Sequence, residues 1–179
     1  MSSLSPLRRC VFFDRDGIVN QSPGPGYVNH LDDFHILPGF ADCVRAATVK
    51  GIPSIVVTNQ RGVTRGLTPP AQLAAMHDRL RDDLAREGLA LLDLFICTAD
   101  DNAHPDRKPN PGMLLAAARK HRLDLARSWM IGDRESDVQT GQNAGVAVTV
   151  LVDPGTAPSA ATHRVPDMSA CARLLRENL

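Results

Sequence analysis

Short apolar runs alternate with longer segments of helical periodicity along this chain. The runs are rich in β-branched and aromatic residues, which is typical of strands buried on both faces of a parallel sheet. The segments between them are long enough to supply the helical crossovers that parallel strands need. The pattern predicts an α/β fold with a doubly wound, Rossmann-like parallel sheet, whose strands are residues 10–13, 52–57, 92–97, 129–131 and 146–152.

The predicted helices are bounded by residues that start or stop helices. Asn110 is expected to cap one helix that has Pro111 in its first turn, and Gly145 follows the end of another. The turn-rich segment 17–37 and the shorter segment 153–158 are expected to be irregular, the second linking the last strand to the tail. Helices are predicted over residues 40–51, 73–88, 110–121, 135–143 and 168–179.

Carboxylates follow two of the predicted strands. Ligands of an open parallel sheet bind beyond the carboxyl ends of its strands, so these side chains are expected to meet at one site. Asp14 and Asp16 follow the first strand at i, i+2 spacing, which in extended backbone directs both carboxylates to the same side. Asp133, after the fourth strand, offers a third oxygen ligand. A hard site with few protein carboxylates suits Mg²⁺.

Lys108, in the loop after the third strand, is a candidate for a fixed positive charge because Pro105 and Pro109 stiffen the backbone near it. Its ammonium group is predicted to neutralise a phosphate oxygen together with a nucleophilic carboxylate. Thr58 and Asn59, after the second strand, offer a hydroxyl and backbone N–H groups to the same phosphate. Each motif alone is more typical of a solvated turn or loop, so their order along one sheet is what indicates a phosphate site.

In this order the residues closely resemble the motifs of the haloacid dehalogenase superfamily of aspartyl phosphotransferases. The resemblance runs from about residue 10 to residue 152 and implies the superfamily's fold with a minimal cap. The matching motifs are Asp14-Arg15-Asp16-Gly17, Thr58, Lys108, and Gly132-Asp133 with Asp137.

The resemblance implies a phosphatase that works through an aspartyl phosphate. Asp14 is the expected nucleophile, and Asp16 is expected to protonate the leaving oxygen and then to activate water. Thr58 and Lys108 are expected to stabilise the phosphoryl group in transfer. The implied ligands of Mg²⁺ are Asp14, Asp16 and Asp133, and Asp137 is expected to orient Lys108 or a metal-bound water.

Two longer stretches, 58–66 and 107–114, resemble the D-glycero-D-manno-heptose 1,7-bisphosphate 7-phosphatases more narrowly. This resemblance implies cleavage of the 7-phosphate in a route to lipopolysaccharide precursors, with Arg107 gripping the distal part of the sugar. Histidinol-phosphate phosphatases share parts of these motifs and supply the alternative substrate, and a non-catalytic phosphosugar-binding module is the alternative without chemistry. The implied substrate-binding residues are Arg15, Asn59, Gln60, Arg61 and Arg107.

The chain departs from this family at two places. Ile18 stands where the family commonly carries Thr, a position that mainly supports the loop. Many members also hold zinc in a loop of Cys and His ligands, of which only Cys97 and, loosely, His104 remain in a shortened segment. Two such residues cannot close a tetrahedral site, so zinc is expected to be absent.

Composition narrows the classes of partner and function that fit this chain. The 179-residue chain has 20 Lys+Arg and 20 Asp+Glu, and a formal net charge of zero argues against nucleic acid as a partner and against a nucleic-acid 3′-end phosphatase. No apolar run approaches the ~18 residues that span a bilayer, and residues 1–10 have no signal-peptide core. We therefore expect a cytoplasmic monomer with no membrane partner, one domain over residues 1–179, acting on a small phosphorylated sugar.

Overall fold

The computed structural model describes residues 7–179, and within them six strands form one parallel sheet. The sheet order is β3-β2-β1-β4-β5-β6, so β1 lies in the interior and the chain winds outward from it in both directions. This is the doubly wound arrangement that the sequence predicts. The strands are β1 Val11–Phe13, β2 Ser54–Asn59, β3 Asp93–Cys97, β4 Trp129–Gly132, β5 Val148–Val152 and β6 His163–Val165.

Helices cover both faces of the sheet. Successive side chains of a strand point to opposite faces, so Val11 and Phe13 pack into one apolar cluster and Phe12 into the other. Helices α1, α2 and α5 contribute to the first cluster and α3 to the second. The helices are α1 Phe40–Thr48, α2 Pro70–Arg86, α3 Gly112–His121, α4 Glu135–Ala144 and α5 Met168–Asn178, with short 3₁₀ turns at Leu31–Asp33 and Leu125–Arg127.

The five predicted strands and five predicted helices are present, with ends shifted by up to three residues. The sequence prediction missed β6, because His163–Val165 is short and half polar and has no buried run. It forms by pairing with the exposed edge of β5, where Val152 lies opposite Val165. The segment 153–158 therefore leads into a strand rather than directly to the C-terminal helix.

The predicted cap of α3 is wrong. The residue preceding the helix is Pro111, with no side-chain cap, and Asn110 instead donates its amide to the backbone oxygens of Asn102 and His104. Asn110 thus cross-links the loop that carries Lys108. None of the helices in the part of the chain that the structure describes combines the length and the apolar character needed to cross a membrane.

The irregular segment 17–37 folds back over the carboxyl edge of the sheet. Backbone hydrogen bonds from Gln21 to His35 and from Leu37 to Val19 tie its two ends together. The Gln72 side chain of α2 accepts a hydrogen bond from the backbone of Leu31. The tip of the segment lies next to residues that follow β2, to which Tyr27 is hydrogen-bonded.

Candidate active site

Three charged side chains meet at the carboxyl edge of the sheet, and we call Asp14, Lys108 and Asp137 the reaction centre. Lys108 Nζ lies 2.5 Å from Asp14 Oδ1 and 2.6 Å from Asp137 Oδ1. All three side chains are nearly inaccessible to solvent. The neighbouring carboxylates outweigh the cost of burying the ammonium and raise the pKa of Lys108, so the lysine stays charged.

Each member of the reaction centre is positioned by its local backbone. Asp14 directly follows β1, and its N–H donates to the carbonyl of Ile131 in β4. Asn59, at the end of β2, fixes the backbone of Lys108 by accepting from its N–H and donating to its carbonyl. Asp137 lies in the first turn of α4, where its second oxygen accepts from the N–H of Arg134 and the helix dipole favours a negative charge.

The carboxylates of Asp14, Asp133 and Asp137 form a cluster whose ligand oxygens lie within 4.8 Å of one another. Burial, with the Asp137 charge second, raises the pKa of Asp14 to about 8 and that of Asp133 to about 6. Three carboxylates around one ammonium thus carry excess negative charge. Within residues 7–179, Asp133 Oδ1 is buried and has no hydrogen-bond partner. A hard divalent cation such as Mg²⁺ would satisfy both the charge and that oxygen.

Two glycines make room for these carboxylates. A side chain at Gly17, whose φ is +88°, would place its Cβ 2.2 Å from Asp133 Oδ2. A Cβ at Gly132 would lie 2.2 Å from the Cβ of Asp137. Any larger residue at either position would displace a member of the cluster, which explains why both motifs contain Gly next to Asp.

Asp16 lies outside the carboxylate cluster, although it lines the same cavity as Asp14. Strand β1 ends at Phe13, and the chain turns through Asp16 instead of remaining extended. Asp16 Oδ1 accepts from Asn20 Nδ2 at 3.0 Å, and Oδ2 accepts from Gln60 Nε2, also at 3.0 Å. In the structure, Asp137 rather than Asp16 completes the group of three carboxylates.

Gln60 lies beside Asp16 and not on the cavity wall. The same amide nitrogen that donates to Asp16 donates to Thr58 Oγ1 at 2.8 Å. Both Gln60 and Thr58 are buried. The structure therefore places Gln60 as a bridge between the general-acid candidate and the threonine, and not as the substrate contact that the sequence suggests.

Arg15 also differs from the sequence prediction. Its side chain is fully buried, with Nε donating to Asn20 Oδ1 and a terminal nitrogen 3.4 Å from the sulfur of Met76. The guanidinium lies over the ring of Phe34, and Nη2 is 3.5 Å from Asp16. Because the backbone turns after Asp14, the Arg15 side chain points into the core, away from the substrate cavity.

An open cavity of about 340 Å³ lies directly above the reaction centre. Arg61 and Arg107, both predicted to bind substrate, lie on its wall. Arg107 is held by Asn102 Oδ1 and the carbonyl of Ala99, each 3.0 Å from its donor atom. The cavity is lined by Asp14, Asp16, residues 23–26, Tyr27, Asn59, Arg61, Arg107, Lys108, Arg134, Ser136 and Asp137.

Three polar side chains on this wall were missed by the sequence reasoning: those of Tyr27, Arg134 and Ser136. Arg134 and Ser136 lie at the start of α4, next to the motif that carries Asp133, and their position after a strand end was an available signal. Tyr27 gives no such signal, because it comes from the irregular segment, whose path over the sheet is a tertiary feature.

The shortened loop after β3 brings the two remaining zinc-type ligands near each other. Cys97 Sγ lies 3.8 Å from His104 Nδ1, and that nitrogen is also 3.2 Å from the backbone nitrogen of Asp106. In the described residues the carboxylate cluster is the one group of three or more side chains arranged to hold a metal ion. The absence of zinc stays a prediction.

Sequence comparisons agree with the geometry. Residues 106–175 match the HAD-hydrolase-like family. The chain is 37% identical over 166 residues to the D-glycero-alpha-D-manno-heptose-1,7-bisphosphate 7-phosphatase of Burkholderia mallei, covering 86% of this chain and 85% of the relative. It is 36% identical over 181 residues to the D-glycero-beta-D-manno-heptose-1,7-bisphosphate 7-phosphatase of Mesorhizobium japonicum, covering 95% and 82%. The two names specify opposite anomers.

A solved structure shows the same fold with ligands. The D,D-heptose 1,7-bisphosphate phosphatase from B. bronchiseptica, complexed with magnesium and phosphate, matches with a TM-score of 0.85 and 31% sequence identity. The match covers 96% of this chain and 99% of that one. Magnesium and phosphate are the two ligands that a cluster of carboxylates beside a fixed lysine would accommodate.

Proposed function

This chain belongs to the family of D-glycero-D-manno-heptose-1,7-bisphosphate 7-phosphatases, within the HAD-like hydrolases, and we propose that it removes the 7-phosphate of such a heptose bisphosphate through an aspartyl-phosphate intermediate. The observation that carries the proposal is one cavity with a fixed lysine and a cation-binding carboxylate cluster at its floor and three arginines on its wall. Lys108 lies at the floor beside Asp14, while Arg61, Arg107 and Arg134 lie on the wall. A substrate with two phosphates matches this distribution of charge.

Asp14 is the nucleophile in this proposal. Lys108 binds Oδ1 of Asp14, and the other carboxylate oxygen attacks phosphorus while the bond to the sugar oxygen breaks. The Lys108 ammonium stays near the phosphoryl oxygens and offsets their charge. Asp137 holds Lys108 from the opposite side, so the ammonium cannot swing out of the site without breaking a second short contact.

Asp16 is the general acid and base. It first donates its proton to the departing sugar oxygen, which leaves as a neutral hydroxyl. The resulting carboxylate then removes a proton from the water that attacks the aspartyl phosphate, so phosphate leaves and Asp16 is again protonated. The contacts from Asn20 and Gln60 fix its carboxyl group, and Asp16 lines the cavity.

The carboxylate cluster fits Mg²⁺, and Asp14, Asp133 and Asp137 are the residues that would hold it. When bound, the ion adds positive charge beside the phosphoryl oxygens and the attacking carboxylate. Asn59, at the end of β2, fixes the backbone of Lys108. Thr58, the residue before it, is buried and its hydroxyl accepts from Gln60 Nε2.

The proposal is tested by measuring phosphate release from both anomers of the heptose bisphosphate, histidinol phosphate and 4-nitrophenyl phosphate in the presence of Mg²⁺. We expect the highest kcat/KM for one heptose bisphosphate, with NMR of the product showing that the 1-phosphate remains. Higher activity on histidinol phosphate would replace the substrate assignment. No release from any of the four compounds would support a binding module that performs no chemistry.

We extend the proposal to the setting of the reaction. The enzyme works as a cytoplasmic monomer of one domain, contributes to lipopolysaccharide precursor synthesis, and uses neither zinc nor a nucleic-acid or membrane partner. The net charge of zero supports the absence of a nucleic-acid partner. Light scattering gives the oligomeric state, and metal analysis of the purified protein gives the zinc content, for which one zinc per chain would contradict it.

A further inference from the structure

We infer that Tyr27 is a positioning residue that holds Arg61 over the part of the cavity where the second phosphate of the substrate lies. The inference rests on the proposed function, because it concerns how the same cavity distinguishes a bisphosphate from a monophosphate. Both residues lie on the cavity wall, and neither is part of the reaction centre.

The Tyr27 hydroxyl oxygen accepts hydrogen bonds from two arginines. Arg61 Nε lies 3.0 Å from this oxygen, and Arg65 Nη1 lies 3.3 Å from it. One neutral acceptor therefore joins two cations that would otherwise repel each other. Tyr27 fixes the direction of the Arg61 side chain without neutralising its charge, which stays available to an anion.

A second partner competes for the same arginine. Asp100, in the loop after β3, binds Arg65 at 2.8 Å and lies 3.9 Å from Arg61 Nη1. Asp100 is not among the cavity-lining residues, whereas Tyr27 and Arg61 are. If Tyr27 lost its hydroxyl, the Arg61 guanidinium would keep its longer contact to Asp100. The side chain would then move toward a carboxylate that also offsets its charge.

The network connects three segments that surround the cavity. Tyr27 comes from the segment 17–37, Arg61 and Arg65 follow β2, and Asp100 follows β3. We call Tyr27, Arg61, Arg65 and Asp100 the rim. Thr64 adds a hydrogen bond from its hydroxyl to the carbonyl of Thr98, which further joins the second segment to the third.

The ring of Tyr27 is itself held against the backbone. A Cβ built on Gly62 would lie 3.1 Å from Tyr27 Cδ1 and 2.5 Å from Thr68 Oγ1, so the ring packs directly on a residue without a side chain. Thr68 in turn donates to Asn29 Oδ1 at 2.9 Å. The hydroxyl is therefore presented from a fixed ring, which is what a positioning role requires.

The test is a double-mutant cycle on substrate selectivity. The measured quantity is the ratio of kcat/KM for the heptose bisphosphate to kcat/KM for 4-nitrophenyl phosphate. Tyr27→Phe keeps the ring and removes the acceptor, and we expect the ratio to fall about fivefold through a higher KM for the bisphosphate. In an Arg61→Ala background, Tyr27→Phe should lower the ratio no further, because Tyr27 acts through Arg61.

The control is Asp83→Asn, which breaks two surface ion pairs on α2, does not line the cavity, and should leave the ratio unchanged. An equal effect of Tyr27→Phe with and without Arg61 would show that Tyr27 contacts the substrate itself, and would overturn the inference. The inference would also be overturned if Arg61→Ala lowered the ratio and Tyr27→Phe left it unchanged. A parent enzyme with no preference for the bisphosphate would instead reject the proposed function, and the inference with it.

Discussion

The reaction centre and the rim lie in one cavity, but they are built from different contacts. Lys108 Nζ is 2.5 Å from Asp14 and 2.6 Å from Asp137, and these side chains are at most 10% exposed. The rim pair of Arg65 and Asp100 is similarly short, at 2.8 Å, but its side chains are 41% and 39% exposed. Water and salt therefore screen the rim, whereas the reaction centre is shielded from both.

The difference in burial explains which part of the site can vary. Removing the lysine would leave Asp14 and Asp137 buried without a counter-charge, at a cost of about 3–5 kcal/mol, so the reaction centre tolerates little change at Lys108. An exposed ion pair contributes about 0–1 kcal/mol, so rim residues can be replaced without unfolding the protein. Chemistry is thus tied to the buried end of the cavity, while substrate selectivity can be adjusted at the exposed end.

The largest effect is expected from Asp14→Asn. An amide is a poor nucleophile and a poor ligand for a cation, so turnover should fall by more than about 10³-fold with every substrate. Steady-state phosphate release, with circular dichroism to check folding, measures this loss. Activity within tenfold of the parent would show that another group attacks phosphorus.

Asp16→Asn should have the second largest effect. We expect kcat to fall by about 10²–10⁴-fold, which is the usual contribution of general acid–base catalysis. The loss should be greater for a sugar phosphate than for 4-nitrophenyl phosphate, because nitrophenolate departs without needing a proton. Comparing kcat for the two substrates measures this. An equal loss on both would assign Asp16 to a role other than protonating the leaving group.

Arg107→Ala tests the wall of the cavity. Its guanidinium is held by Asn102 and the carbonyl of Ala99, so its position does not depend on the substrate. A charge-assisted contact of ~1.5–3 kcal/mol corresponds to a roughly ten- to hundredfold loss of kcat/KM for the bisphosphate. We expect little change for a small phosphate ester. Equal losses on both would place Arg107 at the transferring phosphate or in loop structure.

The smallest expected effect concerns the contribution of a buried histidine of α2 to folding stability. Burial, aided by the Arg15 charge, lowers the pKa of His77 from 6.5 to about 4, and within residues 7–179 its Nε2 is buried without a partner. The unfolded chain takes up the proton first as the pH falls, so folding stability declines from about pH 6.5 to pH 4. Between pH 7 and pH 5 the loss should be roughly 2 kcal/mol.

Urea unfolding of the parent and of His77→Gln at these two pH values isolates that contribution. The glutamine variant has no group titrating in this range at position 77, so its stability should decline less over the same interval. Identical pH dependence in both proteins would mean that His77 is protonated in the fold at no cost.

The sequence by itself determined the fold and the ends of the strands where chemistry occurs. Buried strands read as apolar runs because both faces of a parallel sheet are covered, so the alternation with helices was sufficient for the architecture. Asp14 and Asp133 directly follow strands, Thr58 is near the end of β2 and Lys108 lies in a loop after β3, and parallel strands place their carboxyl ends at one edge. At those positions the local sequence pattern predicts a strand end, and the parallel topology brings the strand ends together.

The tertiary structure alone decided where the neighbouring side chains point. Strand β1 ends at Phe13, Arg15 turns into the core, and Asp16 lies beside Gln60 while lining the same cavity as Asp14. Tyr27 reaches the cavity because a long irregular segment crosses the sheet, and no periodicity records such a path. Side-chain direction after a strand end depends on backbone turns and distant packing partners, which are properties of the folded chain and not of local spacing.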